Sequence, residues 1–123
     1  MKRYNPAIAP PREEWLSMSE GERIELAEKH HREVGIELPD VHAHATFHAI
    51  VENQLALEDA TVQMTLDRLV NDGLSRHDAI HAIGSVLADH LFNLAKSPQT
   101  GGNDNAKYYR ALERITAKKW RDG

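Results

Sequence analysis

Val41-His-Ala-His44-Ala-Thr-Phe47-His48-Ala-Ile50-Val51-Glu52-Asn-Gln54-Leu55-Ala-Leu57 is the stretch that decides the fold. Its apolar residues recur at spacings of three and four, the period of an α-helix and not of a strand. Phe47, Ile50, Val51, Leu55 and Leu57 mark a buried arc. His44, His48 and Glu52 follow one another about 40° apart round the helix and form a rising row. His44 and His48 share the side of Val51 and Leu55, and Glu52 lies at the edge.

The neighbouring segments are also helical. Leu38-Pro39-Asp40 supplies the start signal, with Asp40 as cap. Asp59 caps a helix that places Val62, Leu66, Leu69 and Val70 on one face and ends at Asn71-Asp72-Gly73. Ser75, with Asp78 in the first turn, caps another that runs to about Lys96. On it Ile80, Ile83, Leu87, Leu91 and Leu94 mark the inward arc. His77 and His81 stand at its margin beside Gly84 and Ala88, which are small enough to let a helix approach. Two reversals make the first and third of these helices roughly parallel neighbours. Both histidine rows then look into one interhelical space.

Working outward, residues 1–10 read as an extended lead-in. Pro11 opens a short helix through Met18, anchored by Trp15 and Leu16. Ser19-Glu20-Gly21-Glu22 has capping-box spacing. It starts a helix to about Val34, closed by Gly35 in a left-handed cap. Ile24, Leu26 and Ala27 give this helix only a thin apolar face, so it reads as a surface helix and His30 and His31 as exposed. Residues 97–105, with Pro98 and Gly101-Gly102, form a loop. A last helix spans about Asn105–Trp120, with Tyr108, Leu112, Ile115 and Trp120 inward. The expectation is one all-α domain over residues 1–123, an irregular bundle of about five to six helices.

Composition narrows the function. The chain has 123 residues, no cysteine and a net charge of −4 with both signs interspersed. Thiolate metal sites are excluded, and a strong nucleic-acid surface is disfavoured. No stretch reaches the roughly 20 apolar residues of a membrane span. Residues 1–14 lack the apolar core of a signal peptide. The expected location is the cytoplasm. Self-association into a homo-oligomer and the identity of any small-molecule substrate stay open.

Eight histidines are present. Residues four apart on a helix can direct their side chains to one point, as in zinc-binding pairs. Buried imidazoles need partners and repel one another when protonated, and a metal ion answers both demands. The expected ligands are therefore His44, His48, His77 and His81, with Glu52 as a fifth ligand or as a partner that orients one, holding a transition metal, with Zn, Fe or Ni leading and Mn or Cu also compatible. His90 is off the row and His42 points away from His44.

Other readings compete with a simple metal-binding protein. His48-x-x-x-Glu52 with His77-x-x-x-His81 resembles the ligands of hemerythrin-like di-iron bundles, although the further His and Asp have no assignable counterpart. Adjacent His77-Asp78 matches the pair that names a class of metal phosphohydrolases, with His44 or His48 and Asp89 as further ligands; Asp78 equally suits a helix N-terminus. A structural or protein-interaction module without metal is the remaining possibility.

The stretch from about His44 to Leu94 resembles a bacterial family known as domain of unknown function 1841. The carrying residues are His44-x-x-x-His48-x-x-x-Glu52-x-Gln54-Leu55, then His77-x-x-x-His81 and Leu87. The resemblance implies a helical fold in which the two histidine rows are a shared feature. It covers under half of the chain and implies no particular reaction.

Overall fold

A computed structural model describes residues 1, 3–33, 41–96 and 104–122. Among them the chain is all-α, with seven helices and no strand. These are α1 (Arg12–Ser17), α2 (Glu20–Glu33), α3 (Val41–Ala56), α4 (Ala60–Asn71), α5 (Arg76–Lys96), α6 (Asp104–Arg114) and α7 (Ala117–Asp122). The expected caps at Gly35 and Asp40, and residues 97–103 of the expected loop, lie outside the described residues.

Local chemistry sets the ends. The capping box at α2 is reciprocal: Glu22 N–H donates to Ser19 Oγ at 3.2 Å and Ser19 N–H to Glu22 Oε1 at 3.1 Å. Asp59 accepts from the Val62 N–H, and Ser75 from the Asp78 N–H. Helix α4 closes through Gly73 at φ 106°. The matching position after α3 is Glu58 at φ 61°, where the Asp59 N–H reaches back to the Gln54 carbonyl at 2.9 Å. An L side chain sits there in the left-handed region that glycine prefers.

Helix α3 is the axis of the molecule because it borders two cores. On one side Val51 packs with Val62, Leu66, Leu69, Ile80, Ile83 and Leu112 from α4, α5 and α6. On another, Ala45 and Ala49 pack against Tyr4, Trp15 and Ala27. Arg23 pins this second core, donating to the Trp15 and Leu16 carbonyls and to Asn53 Oδ1. The Trp15 indole N–H donates to the same Asn53 oxygen at 2.8 Å.

Three expectations are corrected. Helix α2 is no peripheral helix: it lies along α3 and buries Ala27 and His31 completely. Its apolar face is thin because alanines on both helices let the backbones come close. The single C-terminal helix is two. Arg68 donates to the Leu112 and Ile115 carbonyls at 2.8 and 2.6 Å, taking the acceptors that a continuing helix would use. Thr116 then starts α7, its Oγ1 accepting from the Lys119 N–H. Finally, Leu57, Val70 and Leu91 are exposed although they sit in the expected inward arcs. Leu57 has run past the end of α3, and the other two fall at the edges of their packed stripes.

Candidate metal centre

Helices α2, α3 and α5 converge on a cluster of imidazoles. Four histidines, His31, His44, His48 and His81, each offer a nitrogen within 4.8 Å of the other three. The ring centroids lie 4.7 Å apart for His31–His44, 5.0 Å for His31–His48, 4.4 Å for His44–His81 and 4.6 Å for His48–His81. His77 adjoins, 4.3 Å from His81 and 5.4 Å from His48. The two expected rows therefore meet across the α3–α5 interface. Gly84 stands beside them, where an added Cβ would meet Phe47 Cβ at an ordinary 3.7 Å.

The hydrogen bonds assign the protons. His31 Nδ1 lies 2.7 Å from the Ala27 carbonyl. A carbonyl only accepts, so Nδ1 carries the proton and Nε2 presents a lone pair. His48 Nδ1 lies 3.3 Å from the Tyr4 hydroxyl, and that hydroxyl donates to Glu52 Oε2 at 2.5 Å. With its proton committed to the carboxylate, the Tyr4 oxygen can only accept from His48 Nδ1–H. His48 Nε2 is then a bare lone pair as well. Both Nε2 atoms are buried without a protein partner. Buried polar atoms are rarely left in that condition. His44 Nε2 and His81 Nε2 face each other at 2.8 Å.

Burial disfavours the charged form of five rings in and beside the cluster. Burial, then repulsion from the neighbouring imidazoles, lowers His44 to about 4 and His81 to about 3. The same causes depress His48 further. Burial also lowers His77 and His30. These are the neutral imidazoles that a metal ion requires. Ligands about 2.0–2.1 Å from a tetrahedral zinc lie roughly 3.3 Å from one another. The four nitrogens of the cluster lie within 4.8 Å of one another.

Glu52 is elsewhere engaged. Its oxygens take a bidentate pair of hydrogen bonds from Arg76, at 2.7 and 2.8 Å, besides the one from Tyr4. The carboxylate is 1% exposed. Arg76 also donates to the Pro6 carbonyl at 2.9 Å, which ties the N-terminal segment to α3 and α5. Glu52 thus touches the cluster through Tyr4 and His48.

The expected exposure of His31 is overturned. It is fully buried at the centre of the cluster. One signal could have found it: Ile24, Ala27 and His31 follow at spacings of three and four along one face of α2. His42 is exposed and bonds Glu28, and His90 packs on Tyr108; neither belongs to the cluster. A cavity of about 190 Å³ opens beside the site, lined by His44, His48, His81, Phe47, Ile80 and Trp120 among others. A larger one of about 700 Å³ starts at the Glu52–Arg76 pair and is lined by none of the histidines.

Fold and site together define an all-α bundle carrying a polyhistidine cluster with the donor set of a transition-metal centre. No protein-family model, curated protein or solved structure matches the chain. Among the described residues, no helix is long and apolar enough to cross a membrane.

Proposed function

We propose that this chain is a metal-binding protein that holds a transition-metal ion between α2, α3 and α5. His31, His44, His48 and His81 are the ligands in this reading, and Glu52 orients His48 through Tyr4. One observation carries it: four imidazole nitrogens gather within 4.8 Å, and the Nε2 atoms of His31 and His48 are buried with no protein partner. An all-imidazole set suits Zn, Fe or Ni. The assignment of residues 44–94 to the bacterial domain of unknown function 1841 belongs to the same proposal, supported by the motif residues that supply the cluster.

The cavity beside His44, His48 and His81 favours a second reading, a metal-dependent enzyme such as a hydrolase. A small substrate there would reach the ion from the Trp120 side.

Elemental analysis of untagged protein, purified without added metal, tests the first reading. The parent should carry a transition metal. His31→Ala and His81→Ala should lose most of it, and His42→Ala should keep it. Equal retention in all three variants would rule out the cluster as the binding site.

A further inference from the structure

With four imidazoles assigned to one ion, two histidines of the cluster remain without a role. His77 Nε2 is buried and has no hydrogen-bond partner, like the Nε2 atoms of His31 and His48. Its ring lies 4.3 Å from His81, 5.4 Å from His48 and 5.7 Å from His30. His30 in turn packs edge-on against His31 at 5.4 Å. The six rings are continuous, and each of the three helices supplies two. Glu52 is committed to Arg76 and Tyr4, so its carboxylate does not answer the His77 nitrogen.

We propose that the cluster holds two transition-metal ions, the second on His77 and His30 beside the first. This rests on the metal-binding reading above and extends it. Two ions in a shared site stand about 3.5–4 Å apart, and the His77 ring adjoins that of His81, a ligand of the first ion. Imidazoles bring no negative charge, so two divalent ions would leave the site strongly positive. Small anions are therefore the ligand class this centre would attract, and the cavity on the Trp120 side gives them a way to the first ion.

The test is stoichiometry. Untagged apoprotein is loaded with Co(II), freed of excess by gel filtration and assayed for cobalt per chain. Two equivalents are expected in the parent, with magnetic coupling between the ions. His77→Gln and His30→Gln should each retain one equivalent with the coupling lost, and His42→Ala should retain two. His30 is half-buried, so that variant remains informative if His77→Gln folds poorly. One equivalent in the parent would overturn the second ion and leave the first. None would overturn the metal-binding reading itself. Two in the parent with one lost in His42→Ala, or two kept in His77→Gln and His30→Gln, would place the second ion elsewhere and overturn the assignment.

Discussion

Replacing Glu52 by Gln changes no side-chain volume to speak of but removes the charge that Arg76 and Tyr4 both address. Glu52 is 1% exposed and the Arg76 side chain 14%. Removing one partner of a buried, hydrogen-bonded pair costs about 3–5 kcal/mol. Unfolding entropy is about 2.1 cal/mol/K per residue, so for 123 residues each kcal/mol corresponds to about 4 °C. Glu52→Gln should therefore lower the Tm by about 12–20 °C. A metal effect follows from the protons. The amide oxygen, kept where Tyr4 and Arg76 both donate, is a weaker acceptor than the carboxylate, which releases the Tyr4 O–H to turn toward His48 Nδ1. His48 would then carry its proton on Nε2, the atom meant for the ion. Affinity should fall about 10- to 100-fold, the range for losing a residue that orients a ligand. Thermal unfolding by circular dichroism and competition against a chromophoric chelator read the two effects separately. The double variant Glu52→Leu/Arg76→Met separates them further, because an apolar replacement of a buried ion pair restores stability but leaves Tyr4 donating to His48. It should regain Tm and not affinity. Parental affinity in Glu52→Gln would refute the relay, and a Tm within about 2 °C of the parent would refute the energetic role of the pair.

The metal-free protein should lose stability on acidification. His44 and His81 are lowered to about 4 and 3 in the fold, against about 6.5 unfolded. The unfolded chain therefore takes up protons first, and stability falls from about pH 6.5 down to those folded values. Urea midpoints measured with chelator from pH 7 to 4 check this, and the drop should shrink in His81→Gln. A flat profile down to pH 4.5 would contradict the burial of these neutral rings. Glu58→Gly relieves the left-handed backbone after α3 and should stabilise by about 1 kcal/mol, or about 4 °C. A lower Tm in this variant would mean that the Glu58 side chain contributes more than its conformation costs.

How far the chain could be read in advance depends on the reach of each signal. The Ser19 box, the Asp59 and Ser75 caps and the Gly73 closure all connect groups within a few residues, and all form where the sequence places them. The rows His44/His48 and His77/His81 are equally local, since helical period alone puts each pair on one face. His31 could not be assigned this way. Its burial depends on α2 lying along α3, and the alanines that permit it give a weaker hydrophobic signal than leucines would. The C-terminal helix breaks because Arg68, far away in sequence, competes for its carbonyls.

The sequence by itself thus determined the all-α class, the helix starts at Ser19, Asp59 and Ser75 and the pairing of histidines along α3 and α5, because these follow from contacts within one helical turn. Only the tertiary structure decided which imidazoles share a centre and what Glu52 does. It brought His31 in from α2, and it brought Tyr4 and Arg76 together on Glu52. Such contacts depend on how each helix is rotated and how closely it approaches its neighbours. Those quantities are set by the packing of two cores at once, and no single segment encodes them.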